Sequence, residues 1–345
     1  MKIAVDAMGG DNAPQAIIEG VEQARDRFDD IDFDLYGDPA KVKPLIKNQD
    51  RLKIVPTTQE ISMGEEPVKA IRHKKDSSIV RAAQAVKNGD ADAFFSAGNT
   101  GAVLAAGIFI VGRIKGISRP GLTSVLPVAN PNATSQQMVY LDSGANAESK
   151  EKNLVQFAYL GRFYAERMFN VKNPRIGLLN NGAEEDKGDT LHKAVWQDLH
   201  NEKDLNFVGN IESGDLLNGK VDVLVSDGWT ANAALKATEG TAKVLMNLIR
   251  HGIENGGLRA KLAYLLLRPV LHQIGHSMSS STYGGAVLLG LKAPVVKTHG
   301  ASDAKAVAST IAQIHQMIDT KMIEQTVEFF SQQNQAKSID NQEQN

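Results

Sequence analysis

The sequence contains no cysteine. A chain without thiols can have neither a disulfide framework nor a thiolate metal site, and it cannot form a cysteine acyl-enzyme. The longest apolar run, Leu262 to Leu267, is six residues, which is too short to span a bilayer. The N-terminal residues M-K-I-A-V-D also lack the apolar segment of a secretory signal. We therefore expect a soluble intracellular protein.

Several common signatures are also missing. The net charge is −2 at pH 7, whereas a dedicated nucleic-acid-binding protein usually carries a basic excess. No G-x-x-x-x-G-K-[ST] motif is present and no G-x-G-x-x-G motif follows a strand, so neither ATP nor NAD has positive support as a cofactor. The G-x-S-x-G and H-E-x-x-H motifs are absent as well. The sequence therefore predicts no cofactor, no metal and no nucleic acid partner.

What the sequence does contain is a repeated order of strand, polar turn and helix. Short apolar runs rich in β-branched residues are typical of buried strands. The clearest example is Val221 to Lys243, in which V-D-V-L-V is followed by S-D-G-W-T-A-N and then by good helix formers. The predicted strands are Ile3–Val5, Phe33–Tyr36, Leu52–Val55, Ala93–Phe95, Met138–Leu141, Ile176–Leu179, Val221–Val225, Ala286–Leu289 and Val295–Lys297. This order predicts an α/β fold with a mainly parallel sheet.

We expect residues 1–330 to form one extended α/β catalytic domain. Residues 331–345 contain mostly Gln, Asn and other polar residues with little apolar content, a composition typical of disorder. We therefore predict a disordered polar tail after residue 330.

Glycine occurs together with Asn or Asp after five of the predicted strands. These pairs are Gly9 to Asn12, Gly98 with Asn99, Gly144 with Asn146, Asn181 with Gly182, and Asp227 with Gly228. If all five lie at the same edge of the sheet, they line one cleft rich in backbone N–H and amide groups, which suits an anion. Two smaller questions stay open at this point. Asn232 either caps its helix or offers its amide to a ligand, and the strand-end aspartates either bind Mg²⁺ or satisfy turns.

A helical hairpin is predicted at about residues 241–274. Gly256 and Gly257 separate two apolar stripes, and the second stripe consists of Leu258, Leu262, Leu265 and Leu266. Arg259, Lys261 and Arg268 flank it. A Leu-rich face with basic flanks either packs in the core or a dimer interface, or contacts a membrane surface or an acyl chain.

The motifs together identify a family resemblance. The runs V-D-A-M-G-G-D-N-A-P, R-H-K-K-D-S-S, S-A-G-N-T-G-A, D-S-G-A-N, E-E-D-K-G, S-D-G-W-T-A-N-A-A-L-K, Y-G-G-A-V-L-L-G-L and H-G-A-S-D-A-K-A resemble the phosphate acyltransferases of bacterial phospholipid synthesis, the PlsX type. The resemblance covers about Met1 to Phe330. It implies a homodimeric three-layer α/β/α Rossmann-like fold related to isocitrate dehydrogenase and phosphate acetyltransferase.

The resemblance also implies a reaction and its partners. Acyl-acyl carrier protein and inorganic phosphate are converted into acyl phosphate and free carrier protein at the cytoplasmic face of the membrane. Peripheral contact with the membrane and with the downstream membrane glycerol-3-phosphate acyltransferase is also implied. The family usually has Phe and Gly where this sequence has Trp229 and Ala231, and an alanine that replaces a glycine at positive φ would be strained.

Site residues follow from the motifs and this chemistry. Phosphate is already anionic near pH 7, so the enzyme must supply position and charge stabilisation rather than a strong base. We expect Lys187 to neutralise phosphate and the developing oxyanion, and Asn232 to donate to the thioester oxygen. The residues expected to contact phosphate or substrate are Asp11, Asn12, Asn99, Thr100 and Asn146. Two basic clusters are alternatives for docking the acidic carrier protein: Arg72, Lys74 and Lys75, or Arg259, Lys261 and Arg268.

Two other functions stay open on the sequence alone. A metal- and NAD-dependent dehydrogenase of related fold would use the strand-end aspartates for Mg²⁺. A membrane-associated scaffold would bind carrier protein without turnover, but it would leave the Asn- and Gly-rich cleft unexplained.

Overall fold

The structure, a computed structural model, describes residues 1–130, 132–133, 135–277 and 284–343. The side chains of residues 261, 272–277 and 334–343 lie outside the described part.

In this part of the chain, eleven strands form one sheet in the order β3-β2-β1-β4-β11-β10-β5-β6-β9-β7-β8. The strands are β1 Lys2–Asp6, β2 Asp32–Gly37, β3 Leu52–Pro56, β4 Ala93–Ser96, β5 Gly121–Pro127, β6 Gln137–Leu141, β7 Arg175–Asn180, β8 Asn206–Glu212, β9 Val223–Val225, β10 Ala286–Leu289 and β11 Val295–Lys297. Each predicted strand is present, while β5 and β8 were not predicted. The α/β fold with a mainly parallel sheet is confirmed.

Helices cover both faces of the sheet. Their bounds are α1 Gln15–Arg27, α2 Pro39–Val42, α3 Pro67–His73, α4 Ser78–Asn88, α5 Thr100–Ala106, α6 Glu151–Met168, α7 Thr190–Asn201, α8 Gly228–Asn255, α9 Gly257–Ser277, α10 Ala304–Asp319 and α11 Met322–Glu343. Side-chain caps explain where several begin. Ser77 caps α4, Asp189 caps α7 and Asp303 caps α10, each by accepting a backbone N–H from the first turn.

The sheet contains two parallel groups that run in opposite directions. Strands β3, β2, β1, β4 and β11 are parallel to one another, and so are β6, β9, β7 and β8. Between the groups, β10 is antiparallel to both β11 and β5, and β5 is antiparallel to β6. The five glycine-containing strand ends therefore do not belong to one parallel group, as was expected. The pairing register nevertheless brings the carboxyl ends of both groups to one row across the middle of the sheet, which consists of Val5, Phe95, Val296, Val287, Thr123, Leu141, Val225 and Leu178.

The core has one continuous layer and one divided layer. On the first face, apolar side chains from α1, α6, α7 and α10 pack against the whole sheet. On the second face, α3, α4 and α5 cover the first parallel group, and the start of α8 covers the second. Alternate residues of each strand contact opposite layers, as Val5 and Ala4 show. The second face is therefore open over the middle strands, between α5 and α8.

Helices α8 and α9 form the predicted hairpin, with the break at Gly256 and Gly257. The helix predicted after the turn at about Asn232 and the first helix of the hairpin are one continuous helix, which begins at Gly228. Its buried residues are Gly228 and Ala231, both in the first turn, so the rest of it projects from the sheet. Among the helices of the described ranges, none combines the length and apolar content needed to cross a bilayer.

Helix α11 contains the end of the predicted domain and most of the predicted tail, and its backbone is helical as far as Glu343. Phe330, the last residue before the predicted tail, is 2% exposed and belongs to the core, so packing fixes the first half of this helix. The disorder expected for residues 331–345 stays a prediction. Residues 344–345 lie outside the described residues.

Candidate active site

Helix α8 begins about one turn before the position that the sequence predicts. The carboxylate of Asp227 accepts hydrogen bonds from the backbone N–H groups of Trp229 and Thr230, at 3.1 and 3.0 Å, so Asp227 is the N-cap. Asn232 therefore lies in the second turn and does not cap the helix. Its side chain is exposed, and no hydrogen bond to its amide is present among the described residues. The amide of Asn232 is free to meet a ligand.

The two positions that depart from the family pattern are accommodated by this early start. Ala231 is helical and fully buried, and its carbonyl accepts a hydrogen bond from the Tyr140 hydroxyl at 3.1 Å. It is not among the described non-glycine residues with positive φ, so the expected strain at this alanine is absent. Trp229 is 71% exposed and adds an aromatic surface at the base of the helix.

The turn after β6 lies directly beside Asn232. Gly144 has a φ of +136°, and a Cβ placed on it would lie 3.4 Å from the Cβ of Asn232. The conformation favours glycine at this position, while the distance shows that the turn and Asn232 are in van der Waals contact. The next residue of the motif that contacts α8 is Asn146, whose carbonyl oxygen would lie 2.3 Å from a Cβ on Gly228. The turn after β6 and the start of α8 therefore pack as one unit.

Asp142 organises that turn. Its carboxylate accepts hydrogen bonds from the backbone N–H groups of Leu122, Gly144, Ala145 and Asn146, at 2.8 to 3.1 Å. Burial raises the pKa of Asp142, and these hydrogen bonds act against that shift. Because both oxygens are occupied by donors of the protein, the structure favours the turn-forming alternative for this residue over binding of Mg²⁺.

Asp6, the last residue of β1, has the same role in the turn that follows that strand. Its carboxylate accepts from the Ser96 hydroxyl at 2.6 Å and from the backbone N–H groups of Met8 and Gly9. Burial raises the pKa of Asp6, again against the effect of its hydrogen bonds. Asp6 and Asp142, one from each parallel group, therefore both stabilise the turn that follows their strand.

Three of the asparagines expected to contact phosphate are similarly engaged. The amide nitrogen of Asn99 donates to the carbonyl oxygens of residues 62, 63 and 65, and its oxygen caps α5. The amide nitrogen of Asn12 donates to the carbonyls of Ala301 and Ser302. That of Asn146 donates to the Pro120 carbonyl and the Asp142 carboxylate. These hydrogen bonds favour a structural role, since the donors that an anion needs are occupied.

The other two expected phosphate contacts are less constrained. Thr100 is the first residue of α5 and is partly exposed, so its hydroxyl and the helix N-terminus face the same region. Asp11 is exposed, and its backbone N–H donates to the Gly300 carbonyl at 2.8 Å. A carboxylate repels phosphate, so Asp11 is better suited to positioning a cation at the rim than to binding the anion.

Lys187 lies in the loop between β7 and α7. Its side chain is 45% exposed, and the nearest carboxylate oxygen, of Glu184, is 3.9 Å away. The loop is fixed at its base, because Asn180 donates to the Lys187 carbonyl at 3.2 Å and to the Asn210 side chain at 3.0 Å. The loop therefore presents an exposed cation from an anchored backbone. Strands β7 and β9 are neighbours, so Lys187 and Asn232 follow adjacent strand ends.

A histidine that the sequence analysis did not single out connects these two strand ends. The Nδ1 atom of His192 is 2.7 Å from the Asp189 carboxylate, and its Nε2 atom is 3.6 Å from Oδ2 of Asp227. That Oδ2 atom is buried and has no hydrogen-bond partner. His192 therefore lies between the cap of α7 and the cap of α8, and it ties the Lys187 loop to the helix that carries Asn232. The sequence signal for this contact was the spacing of three residues between Asp189, the N-cap of α7, and His192.

Lys297, the last residue of β11, is a second residue that the sequence analysis missed. It lines a cavity of about 140 Å³, and the other lining residues are Ser124, Val125, Gly284, Gly285, Ala286, Thr298 and His299. Burial lowers the pKa of Lys297, while the carboxylate of Asp11 opposes this shift and the ammonium group of Lys236 adds to it. A lysine that ends an otherwise apolar strand, V-V-K, was the sequence signal.

The model of a family described as "Fatty acid synthesis protein" matches residues 1–325. The phosphate acyltransferase of Limosilactobacillus reuteri (strain DSM 20016) is 74% identical over 345 residues, which cover 100% of both chains. The phosphate acyltransferase of Enterococcus faecalis (strain ATCC 700802 / V583) is 56% identical over 330 residues, covering 96% of this chain and 98% of that protein. The chain belongs to the phosphate acyltransferase family. It is an acyltransferase enzyme, as the resemblance implied.

Solved structures support the fold of this phosphate acyltransferase family member. A phosphotransacetylase from Streptococcus pyogenes aligns with a TM-score of 0.58 at 15% identity, covering 94% of each chain. A branched-chain phosphotransacylase from Enterococcus faecalis V583 aligns with a TM-score of 0.55 at 14% identity, covering 92% of this chain and 99% of that one. At such identities the likeness concerns the fold alone, and it confirms the predicted relation to the phosphate acetyltransferase fold.

The two basic clusters differ in how free their charges are. In the first, the Lys74 ammonium group bonds to the Glu65 carboxylate at 2.6 Å, and that of Lys75 donates to the Ile71 carbonyl at 3.3 Å. Arg72 is exposed. In the second cluster, Arg259 and Arg268 are exposed on α9. The remaining member, Lys261, has a side chain that lies outside the described part.

The hairpin exposes the predicted leucines to solvent. Leu258, Leu262, Leu265 and Leu266 are 76, 55, 63 and 82% exposed. A groove of about 420 Å³ lies between the two helices, and its lining residues are Met246, Ile249, Arg250, Ile253, Glu254, Tyr264, Arg268 and Leu271. The hairpin therefore has an apolar surface with a partly basic groove, and in the single chain the leucine stripe does not pack in the core.

Proposed function

We propose that this chain transfers a fatty acyl group from acyl-acyl carrier protein to inorganic phosphate, giving acyl phosphate for phosphatidic acid and phospholipid synthesis. Family membership supports acyl transfer to phosphate. The observation that carries the assignment to this cleft is the unengaged amide of Asn232, positioned by a rigid turn and cap beside a loop lysine. Absence of cysteine from the sequence is compatible with direct attack in a ternary complex.

The reaction balances without a base that removes a proton permanently. An oxygen of hydrogenphosphate attacks the thioester carbon, and a C–O bond forms while the carbonyl becomes an oxyanion. The C–S bond then breaks, and the thiolate of the carrier protein takes the proton that hydrogenphosphate carried. Acyl phosphate and the free thiol are the products. The cleft must therefore orient two anionic reactants and stabilise one developing oxyanion.

Lys187 and Asn232 have the chemistry for these tasks. The Asn232 amide would donate to the thioester oxygen, and such a donor is worth about 3 kcal/mol of barrier. The Lys187 ammonium group would approach phosphate and the oxyanion from the neighbouring strand end, leaving its loose contact with Glu184. Thr100 would add a hydroxyl at the N-terminus of α5. Asn12, Asn99 and Asn146 would shape the cleft through their backbone contacts rather than bind phosphate.

The carrier protein would dock through charge. Carrier proteins of this type are acidic, and free basic side chains attract such a surface and accelerate association. Arg259, Lys261 and Arg268 are favoured over Arg72, Lys74 and Lys75, because Lys74 already pairs with Glu65. The groove beside Arg268 would receive the acyl chain as it leaves the carrier.

The exposed leucine stripe would be covered in the working assembly. A second copy of the chain, or the cytoplasmic face of a membrane, would remove Leu258, Leu262, Leu265 and Leu266 from water. A peripheral position at the membrane would also bring acyl phosphate close to the membrane glycerol-3-phosphate acyltransferase that uses it.

The test is mass spectrometry of the purified protein incubated with palmitoyl-acyl carrier protein and phosphate. We expect acyl phosphate and free carrier protein only when phosphate is present. Asn232→Ala should lose most of the product, whereas Asn247→Ala, on the exposed far part of α8, should not. Binding of the carrier protein without product would support the scaffold instead. Activity that requires NAD and Mg²⁺ would support the dehydrogenase.

A further inference from the structure

None of the residues that the sequence analysis expected to contact phosphate supplies a cation on a rigid element. Three of the predicted contacts, Asn12, Asn99 and Asn146, donate their amide hydrogens to the protein itself. Lys187 is at the end of a loop and is exposed. A dianionic substrate that must be held in one orientation needs at least one cation on a rigid element.

Lys297 meets that requirement. It is the last residue of β11, an internal strand that pairs with β4 through Ser96 and with β10 through Ala286, so its backbone is held on both sides. Its side chain is partly buried in the cavity described above. No ion pair or hydrogen bond to its ammonium group is present among the described residues. Within the described residues this half-buried ammonium group therefore has no direct counter-charge, and such burial is costly unless a ligand supplies one.

The cavity adjoins the turn that contacts Asn232. Ser124, on its wall, donates a hydrogen bond from its hydroxyl to the Ser143 hydroxyl at 2.9 Å. The next residue of that turn, Gly144, is the one that contacts Asn232. Lys236, one turn after Asn232 on α8, is close enough for its charge to act on Lys297. The cavity beside Lys297 and the side of α8 that carries Asn232 are therefore adjacent.

A second donor borders the cavity. The Nδ1 atom of His299 accepts a hydrogen bond from the Ala301 backbone N–H at 3.1 Å, so in the neutral ring Nε2 carries the proton and can donate. Asp11 acts on Lys297 from the rim and helps to keep it protonated. The cavity thus combines a fixed cation with a neutral donor.

We propose that Lys297 is the residue that binds inorganic phosphate, holding the nucleophile in the cavity between β5 and β11 while Lys187 and Asn232 act on the thioester. This inference rests on the proposed function. The size of the site supports a small anion: about 140 Å³ is roughly ten times the space that one water requires, and it is below the ~300 Å³ at which pockets hold larger organic ligands.

The same charge could instead hold the phosphodiester of the carrier protein's prosthetic group, and steady-state kinetics separate the two sources. We expect Lys297→Met to raise KM for phosphate by about 10- to 100-fold, the range for a hydrogen bond to a charged group, with KM for acyl-acyl carrier protein nearly unchanged. Lys297→Arg should retain most of the affinity. Lys292→Met, which removes an exposed lysine just before β11, is the matched control.

A binding measurement that does not depend on turnover completes the test. Phosphate should raise the melting temperature of the wild-type protein and of Lys292→Met, but not that of Lys297→Met. Failure of the wild type to form acyl phosphate would reject the proposed function, whatever the thermal shift. An active wild type whose Lys297→Met variant keeps its KM for phosphate and its thermal shift would overturn the assignment of Lys297. A raised KM for the carrier protein alone would also overturn it, in favour of the phosphodiester.

Discussion

The turns that follow the strands of the two parallel groups contain the same residue types, but they leave different side chains without hydrogen bonds. After β1 and β4, the side chains of Asp6, Asn12 and Asn99 are all engaged with the protein. After β6, Asp142 and Asn146 are engaged in the same way. The second group, however, also carries Lys187 and Asn232. The ammonium group of Lys187 is 3.9 Å from Glu184, and no hydrogen bond to the amide of Asn232 is present among the described residues. Identical residue types thus divide into those that form the cleft and those that are available to act in it.

That division predicts a large loss of stability, rather than a specific loss of chemistry, when an engaged group is removed. Asp142→Ala leaves several buried backbone N–H groups without acceptors, so we expect the free energy of unfolding to fall by about 3 to 5 kcal/mol. Denaturant titration measures it. Glu148→Ala, an exposed carboxylate in the same loop, should stay within about 0.5 kcal/mol of the wild type. A stable Asp142→Ala protein without activity would contradict the division.

Removal of a free group should have the opposite signature. Asn232→Ala should lower kcat by about two orders of magnitude with the melting temperature nearly unchanged, because the side chain is exposed and makes no hydrogen bond. Lys187→Ala should behave similarly, with Lys193→Ala, an exposed lysine on α7, as its control. Single-turnover kinetics isolate the chemical step. Near-normal kcat in either variant would remove that residue from the mechanism.

The leucine stripe of the hairpin can be compared in the same way, because it is an exposed surface of apolar side chains. Leu262→Glu places a charge in the exposed leucine stripe, and losing the burial of one leucine should weaken binding to anionic liposomes by at least about tenfold. Thr241→Glu, exposed on α8, is the control for charge alone. Co-sedimentation measures binding and analytical ultracentrifugation measures the oligomeric state. Unchanged liposome binding together with a dissociated oligomer would assign the stripe to a subunit interface.

The smallest expected effect concerns pH. The pKa of Lys297 is lowered, chiefly by burial, so its proton is lost below the ordinary value of 10.5. Raising the pH through that range removes the positive charge, and kcat/KM for phosphate should fall. Lys297→Arg should flatten this fall, because a guanidinium group stays protonated. The second ionisation of phosphate is common to both proteins. Identical profiles would show that another group controls the dependence.

The sequence predicted the strands better than their directions. Apolar runs such as Ile3–Val5 and Val295–Lys297 identify buried strands wherever they pair. Strand β5 was missed because Thr123 and Ser124 interrupt its apolar pattern between Gly121 and Pro127. It is this strand, with β10, that reverses the second parallel group, so the opposite directions of the two groups were missed for the same reason.

Only part of the candidate site was predictable from the sequence. Motifs indicate which residue types lie at strand ends, but whether an amide is free depends on carbonyl groups distant in sequence. Asn99 is engaged by residues 62–65 and Asn12 by Ala301, and neither contact has a local signal. The sequence marks Lys297 as a lysine at the end of an apolar strand, but the fold was needed to show that it lines a cavity within reach of the charges of Asp11 and Lys236.

Helix α8 also has a mechanical consequence. Asn232 lies about 6 Å from the start of the helix, and the end at Asn255 lies about 40 Å from it, at 1.5 Å per residue. If the helix tilts about its capped first turn, a displacement at the tip is reduced about sevenfold at Asn232. The hairpin can therefore adjust by several ångströms to a bilayer or a second subunit while the amide at its root moves by less than the tolerance of a hydrogen bond.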